Sequence, residues 1–389
     1  MLPFKNLSDS KEDEYFSDGI TEDIIARLSK IRNLKVISRT SMMRYKTSDK
    51  SIPEICQELK VATALEGSVR RSGSRLRIVS QLIDAQSDEH LWAESYDRKM
   101  EDIFEIQKGR YFWNKRSEEG VNKSIEYFQQ AIEKDSTYAL AYAGLGDSYL
   151  MLGVYGRQRP GESFPLAKTY VNRALRLDSG LAEAYATLGD INIHFDWDLD
   201  AAEANLRRAI ELNPQYASGF HWYSEVFVLR GEFERAYQES RRALELDPYS
   251  LIINTQLGQH YRRTGEFQKA IDQLRKTIEF DSTFAYGHYD LGIVYVALKQ
   301  LDRAVYNLRK ANALAPSDTR ILAGLAFAEG FARNKDEAQR IEKALLERAA
   351  REYVPPHDLA IVSLSLGKTE RALEYLDQAY DDHAPGCLS

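Results

Sequence analysis

Several features are scarce in this 389-residue chain. Its two cysteines, Cys56 and Cys387, lie far apart and match no disulfide framework or zinc-ligand spacing. No apolar run approaches the roughly 18 residues of a membrane-spanning helix, and no signal-peptide pattern follows Met1. Basic residues are not in excess, because 52 Lys and Arg against 59 Asp and Glu leave a net charge of −7. These absences predict a cytoplasmic protein with no membrane segment and no nucleic-acid partner of its own. A periplasmic location is the alternative if a transmembrane segment precedes Met1.

Motifs of common enzymes are also lacking. The sequence contains no Gly-x-x-x-x-Gly-Lys-Ser/Thr or Gly-x-Gly-x-x-Gly loop for phosphates. It contains no Gly-x-Ser-x-Gly elbow, no His-Glu-x-x-His pair and no protein-kinase signature set. Because every long segment already has a structural interpretation, we expect a non-catalytic protein without cofactor or metal.

A 34-residue period dominates the second part of the chain. Alanine recurs at this interval at Ala202, Ala236, Ala270, Ala304, Ala338 and Ala372. Within one period, apolar residues recur at helical spacing from Ala285 to Leu298 and again from Leu301 to Ala313. Such a period predicts tandem helix pairs that stack side by side.

Turn residues separate the predicted helices. Gly231 and Gly265 follow the first helix of their pairs, where glycine supplies the left-handed residue that closes a helix. Pro248 stops a second helix, because the residue before proline avoids the α region. Small residues at Gly258 and Ala270 are expected to let the two helices of a pair approach closely.

The period resembles the tetratricopeptide repeat. The sixth repeat carries that family's pattern at Leu291, Gly292, Tyr295, Ala304, Leu308, Ala311 and Pro316. The resemblance implies an all-α right-handed superhelix (α-solenoid) of about seven to eight repeats over residues 108–389, the last ones degenerate. The second repeat contains an extra loop, Gly153–Phe164, and the third has one additional residue around Phe195–Asp200.

Residues 1–107 lack the period and predict a small α/β sheet with helices on one face. Thr21 and Asp23 are placed to cap the first helix. Ser72-Gly73-Ser74 is typical of a hairpin turn. The predicted elements are a helix over Gly19–Ile31, a strand over Leu34–Ser38, a helix over Ile52–Leu59, a hairpin of Thr63–Arg71 with Arg75–Asp84, and a strand over His90–Tyr96.

This segment resembles the amino-terminal domain of TolB-like proteins. The resemblance is carried by Leu2-Pro3-Phe4-Lys5-Asn6-Leu7-Ser8, Tyr15-Phe16-Ser17-Asp18-Gly19-Ile20-Thr21-Glu22, Leu65-Glu66-Gly67-Ser68-Val69-Arg70 and His90-Leu91-Trp92-Ala93-Glu94. In that family an upstream strand precedes the first motif, so the resemblance implies that this chain starts inside its first strand. It also implies an alternative function, as the sensory half of a larger bacterial signalling protein. The effector module would then be a winged-helix regulator, a kinase or an adenylate cyclase.

Four polar clusters are candidate sites. His194–Asp200 has the alternating aspartates of a calcium loop, but Ala201 replaces the required glycine, and a helix cap at Asp198 or Asp200 is the simpler interpretation. Asp18 and Glu22 are spaced like paired carboxylates, or they favour a helix start. The basic residues Arg70, Arg71, Arg75 and Arg77 suit an anion or a solvated turn, and a small anionic ligand between them and Asp18–Thr21 is a third hypothesis. The loop Gly156–Gly161 is a further candidate partner contact.

The concave groove is the main predicted site. By resemblance, the first helix of each repeat lines it through positions two, five, nine, twelve and thirteen, and we expect this inner curve to be open to a protein or peptide partner. The residue set that clamps a C-terminal carboxylate in chaperone-binding relatives is missing. A groove with aromatic and apolar residues and a basic rim suits a segment with apolar anchors and acidic character. The predicted groove residues are His221, Glu225, Gln259, Arg262, Arg263, Tyr286, Tyr289, Ile293, Val296, Phe327 and Phe331.

Overall fold

The computed structural model describes residues 1–8, 14–29, 31, 34–72, 75–99, 104–114 and 118–384. Its amino-terminal part is a four-stranded sheet in the order β1-β2-β3-β4. Strand β1 pairs parallel to β2, whereas β2–β3 and β3–β4 are antiparallel. The elements are β1 (Lys5–Asn6), α1 (Glu14–Leu28), α2 (Arg39–Met43), α3 (Ile52–Leu59), β2 (Thr63–Ser72), β3 (Arg75–Asp84) and β4 (His90–Lys99). The predicted α/β class and hairpin are confirmed.

Two local predictions in this part are wrong. Helix α1 begins at Glu14, so Thr21 lies inside it and caps nothing. The Thr21 hydroxyl donates to the Ser17 carbonyl at 2.8 Å and accepts from the Phe4 N–H at 3.0 Å, which joins the chain beside β1 to α1. Residues 34–38 are not a strand, because the Val36 and Ser38 N–H groups donate to Gln215 and Leu246 of the solenoid rather than to the sheet.

The remaining described chain forms eight helix pairs. The pairs are α4 (Phe104–Asn114) with α5 (Glu118–Lys134), α6 (Ala139–Val154) with α7 (Pro160–Leu177), α8 (Ala182–Ile191) with α9 (Leu199–Leu212), α10 (Ala217–Leu229) with α11 (Phe233–Leu246), α12 (Leu251–Arg263) with α13 (Phe267–Phe280), α14 (Ala285–Ala297) with α15 (Leu301–Leu314), α16 (Thr319–Phe331) with α17 (Lys335–Ala349), and α18 (Pro356–Ser365) with α19 (Thr369–Asp381). The predicted tetratricopeptide solenoid is confirmed. The predicted domain boundary at Gln107–Lys108 falls inside α4.

Small residues hold the two helices of each pair together. Ala270 and Ala304 are fully buried. A Cβ added at Gly258 would lie 2.7 Å from Leu274 Cγ, which leaves no room for a side chain there. Gly231 and Gly265 end their first helices with φ of +75° and +78°, a conformation that only glycine adopts without strain. The sequence-based explanation of these contacts and turns is confirmed.

The second and third repeats take up their extra residues within helices. Gly153 lies inside α6 and Phe164 inside α7, so the predicted long loop is wrong, and the additional residues mainly lengthen both helices. In the third repeat the additional residue forms a π-helical turn over Asn192–Asp196 that extends α8. The ends of α6 and α8 therefore project beyond those of a regular repeat.

Candidate binding surface

The first helices of the repeats line the concave face and give it two edges. We call the starts of α10, α12, α14, α16 and α18, with the turns before them, the closed edge. We call the ends of α12, α14, α16 and α18 the open edge. The predicted groove residues lie on α10, α12, α14 and α16, between or on these edges.

The α/β domain docks on the amino-terminal part of the closed edge. The Val36 N–H donates to Gln215 Oε1 at 3.0 Å, and the Gln215 amide nitrogen donates to the Leu34 carbonyl. The Ser41 hydroxyl donates to Asp247 Oδ1 at 2.5 Å. Burial raises the pKa of Asp247, although the hydroxyl hydrogen bonds oppose that rise.

Tyr249, at the start of α12, is the aromatic centre of this docking contact. Its hydroxyl donates to Glu58 Oε1 at 2.7 Å. The Arg44 guanidinium lies 4.7 Å from its ring centre, and the Tyr45 ring meets it edge-on at 6.3 Å. Phe280 packs against the other side at 5.0 Å. The contact therefore joins α2 and α3 to the fourth and fifth repeats.

A cavity of about 220 Å³ lies between the α/β domain and the first repeats. Glu22, Ser29 and Arg39 line it from one side. Asp147 and Glu183, on the concave face of α6 and α8, line it from the other. The chain's own domain thus covers the inner curve here, and the expectation of an open groove is wrong over the second to fourth repeats.

The end of α6 meets the closed edge of the later repeats, a contact we call the clasp (residues 154–157 against 286 and 317–320). Arg320 donates to the Val154 carbonyl at 3.2 Å, and the Tyr155 and Tyr286 rings stack at 6.3 Å. Arg157 donates to the Ser317 carbonyl at 3.1 Å. The loop considered as a partner contact therefore binds this chain's own seventh repeat.

A second contact closes the superhelix between the third and eighth repeats. His383 Nδ1 lies 2.7 Å from the Phe195 carbonyl oxygen. The His383 ring stacks on Trp197 at 4.4 Å, and Tyr380 meets the same indole at 5.0 Å. The left-handed Trp197, with φ of 53°, follows the π-helical turn and places its ring in this contact.

The interior between the edges is polar and largely buried. Gln259 donates to Asp290 Oδ2 at 3.0 Å, but burial dominates and raises the pKa of Asp290 to about 6. Burial alone would lower the pKa of His194, yet the Asp190 carboxylate at 3.2 Å outweighs it and raises that pKa to about 9. Burial also raises the pKa of Tyr289. These groups form the wall of the inner curve, where Asp190 and Asp290 are buried and Gln259, His194 and Tyr289 are partly exposed.

The open edge differs from the interior in amino-acid composition and in solvent exposure. Arg262 and Arg263 occupy it at the end of α12 and are partly buried. Phe331, whose ring packs on Phe327 at 4.6 Å, is 56% exposed. Leu364, one residue before the end of α18, is 44% exposed. Several predicted groove residues, namely Arg262, Arg263, Val296 and Phe331, therefore lie along an edge that the described chain leaves uncovered.

Other candidate residues have structural partners. Asp198 caps α9 by accepting from the Ala201 N–H at 2.9 Å, as the simpler interpretation predicted. Asp18 is buried and pairs with Lys46 at 2.6 Å, and Arg39 lies 3.6 Å from both Asp18 and Glu22, so each carboxylate has a basic partner.

The basic hairpin residues and the Asp18–Thr21 segment differ in solvent exposure. Arg70 and Arg77 are exposed and face each other across β2 and β3, whereas Thr21 is fully buried. The side chains of Arg71 and Arg75 lie outside the described residues. The docking residues Ser41 and Tyr249 were missed from sequence, where a serine-rich segment and a repeat-turn tyrosine carry no specific signal.

Comparisons with known proteins agree with the two-part architecture. Residues 1–108 match the family described as HilA/YgeH-like transcriptional regulator, second domain. Residues 182–216 and 258–299 match tetratricopeptide repeat profiles. Over 107 residues the chain is 52% identical to "Putative adenylate cyclase 3" of Rhizobium meliloti (strain 1021), covering 28% of this chain and 18% of that protein. The chain thus spans about a fifth of this curated relative.

Two solved structures share the fold of the solenoid. A monomeric IFIT1 mutant with m7Gppp-AAAA has a TM-score of 0.54 at 16% identity over 73% of this chain and 72% of that one. The Cut9–Hcn1 hetero-tetramer has a TM-score of 0.51 at 15% identity over 72% and 52%. Identities this low show the fold alone. Within the described residues, no helix is both long and apolar enough to cross a membrane.

Proposed function

We propose that this protein is a non-catalytic interaction scaffold that binds a protein segment on the concave face of its solenoid, along the open edge. Tetratricopeptide repeats are an architecture of protein-interaction scaffolds, and packed helix pairs present a surface with little reorganisation cost. The observation that carries the proposal is the exposure of Phe331 and Leu364 on the open edge, beside the partly buried Val296. Large apolar side chains exposed on successive repeats are typical of a binding surface.

Contacts at the closed edge exclude some of the predicted groove residues from the proposed partner contact. Tyr286 and Tyr289 are engaged in or next to the clasp, so we assign them to the wall rather than to the partner contact. Val296, Phe327 and Phe331 remain as apolar anchors. We also propose the division into residues 1–107 and 108–389, with a TolB-like character for the first part and a cytoplasmic location.

A site-specific photo-cross-linker tests the scaffold function. Benzoylphenylalanine replaces Phe331 on the open edge, and in a control chain it replaces Tyr306, which is 61% exposed on α15. We expect a cross-linked protein from the first position only, identified by mass spectrometry. That protein, once purified, should lose binding to the Phe331→Ala chain and keep it with Tyr306→Ala. Equal cross-linking from both positions, or none from Phe331, would contradict the proposal.

The similarity of residues 1–108 to a regulator domain favours a second candidate, the sensory half of a larger signalling protein. The 52% identity to a cyclase-named protein extends over 107 residues, or 28% of this chain. On this candidate, the sequence upstream of Met1 in the gene should encode a winged-helix, kinase or cyclase module. An upstream sequence without such a module in the same reading frame would remove it.

A further inference from the structure

Two adjacent arginines on the open edge lack the partners that other arginines of the solenoid have. Arg262 and Arg263 end α12, and among the described residues neither side chain forms an ion pair or a hydrogen bond. The Nε of Arg262 is buried without an acceptor. By contrast, Arg230 pairs with Asp200 at 2.5 Å, and Arg309 pairs with Glu329 at 2.6 Å.

The two carboxylates that act on this pair form no ion pair with it in the described structure. Asp290 accepts from the Gln259 amide at 3.0 Å and attracts both arginines electrostatically, but no hydrogen bond or ion pair joins it to either guanidinium. Glu225 attracts Arg263 electrostatically but forms no ion pair with it in the described structure. Burial lowers the pKa of Arg263, which shows that its positive charge is costly in the absence of a closer anion. A partly buried guanidinium is stabilised most by an oxyanion that accepts two parallel hydrogen bonds.

The open edge continues from this basic pair into an apolar row. The positions equivalent to Arg262 and Arg263, counted by the 34-residue period, are Val296 and Ala297, then Gly330 and Phe331, then Leu364 and Ser365. Val296 is partly buried, whereas Phe331 and Leu364 are exposed. The row therefore offers a charged subsite followed by apolar subsites on one side of the concave face.

We propose that the open edge binds a polypeptide segment that carries acidic side chains next to apolar ones. Its carboxylates pair with Arg262 and Arg263, and its apolar side chains cover Phe331 and Leu364. This inference rests on the proposed scaffold function and specifies the chemistry of the partner.

The composition of the row favours a peptide over a nucleic acid. Single-stranded nucleic acid needs a basic groove that follows the backbone and aromatic rings on which successive bases stack. Here the basic character stops after one arginine pair, and the aliphatic Val296 and Leu364 offer no stacking surface. The net charge of −7 also opposes a polyanion.

Fluorescence anisotropy with the full chain tests this chemistry directly. The probe is a labelled synthetic peptide with two glutamates followed by leucine and phenylalanine, compared with the same peptide carrying glutamine for glutamate. The test variant is Arg262→Gln with Arg263→Gln. Its matched control is Arg241→Gln with Arg242→Gln, an adjacent and exposed pair on the second helix of the fourth repeat. A single-stranded oligonucleotide of similar size is the competitor.

We expect the acidic peptide to bind at least about tenfold more tightly than its glutamine form, as two charge-assisted contacts imply. The Arg262/Arg263 variant should lose this preference, the control should keep it, and Phe331→Ala should weaken both peptides. Equal binding of the two peptides, no binding of the acidic one, or tighter binding of the oligonucleotide would overturn the inference. If the Phe331 cross-link still yields a partner, only the acidic chemistry fails, whereas loss of the cross-link removes the scaffold function itself.

Discussion

The two edges of the concave face are built from the same helices but serve different contacts. At the closed edge, the starts of the first helices bind other parts of the chain, through Gln215, Asp247, Tyr249 and Arg320. At the open edge, Phe331 and Leu364 are exposed and Arg262 is unpaired in the described structure. A repeat protein can therefore use one rim for its own closure and keep the opposite rim for a partner.

The interior between the edges should respond most strongly to pH. The pKa of Asp290 rises from 3.8 to about 6 on folding, so the native state holds its proton more tightly than the unfolded chain. Stability from this group is full below about pH 4 and is lost as the pH rises to about 6, by about 3 kcal/mol at most. Relative to wild type, Asp290→Asn should gain unfolding free energy across that window in urea titrations. A difference that stays constant with pH would contradict this assignment.

Overpacking the common core should weaken both edges. Ala304→Leu adds three carbon atoms at a fully buried contact between α14 and α15, and we expect a loss of about 1–3 kcal/mol in unfolding free energy. Ala297→Leu, an exposed alanine at the open edge, is the matched control and should change stability little. Similar losses in both variants, measured by thermal or urea denaturation, would refute the packing argument.

Loss of the docking aromatic should affect the closed edge alone. Tyr249→Ala removes the Arg44 and Tyr45 ring contacts, with an expected cost of about 1–2 kcal/mol. Hydrogen–deuterium exchange should rise in residues 34–46 and stay unchanged around Phe331. Tyr306→Ala on the outer surface serves as the control. Unchanged exchange in residues 34–46 would mean that the α/β domain is held by other contacts.

Weakening the clasp should reduce the unfolding free energy less than loss of Tyr249 does. Arg157 donates to the Ser317 carbonyl and lies 3.7 Å from Asp318, a partly solvated pair worth about 0–1 kcal/mol. Arg157→Ala should leave global stability almost unchanged but lengthen the distance between spin labels placed on α7 and α17. Identical distance distributions in variant and wild type would show that the other closing contacts, at Tyr155, Arg320 and His383, hold the superhelix without Arg157.

The smallest change in unfolding free energy is expected at the open edge. Phe331→Ser replaces an exposed ring, so unfolding free energy should change by no more than about 0.5 kcal/mol while partner binding falls. Denaturation curves and the cross-linking partner measure the two quantities on one sample. A large stability loss would place Phe331 in the core and remove the contrast between the edges.

Sequence periodicity predicted the regular part of this molecule well because each repeat makes the same local contacts. Ala270, Gly258 and Gly265 have packing or backbone roles that are legible within one 34-residue unit. The closed edge was not predictable in this way. Its contacts join residues about 160 to 210 positions apart, such as Ser41 with Asp247 and Arg157 with Ser317, and no local pattern encodes such pairs.

The π-helical turn at Asn192–Asp196 has a consequence for how the chain tolerates insertions and deletions. The one additional residue is accommodated by a wider helical turn. This turn rotates the side chains that follow it, up to Trp197, about the helix axis. Trp197 thereby reaches His383, almost two hundred residues downstream. Deleting one residue of this turn would restore the ordinary helical phase. The Trp197–His383 contact would then be lost, although every alanine of the repeat core would remain.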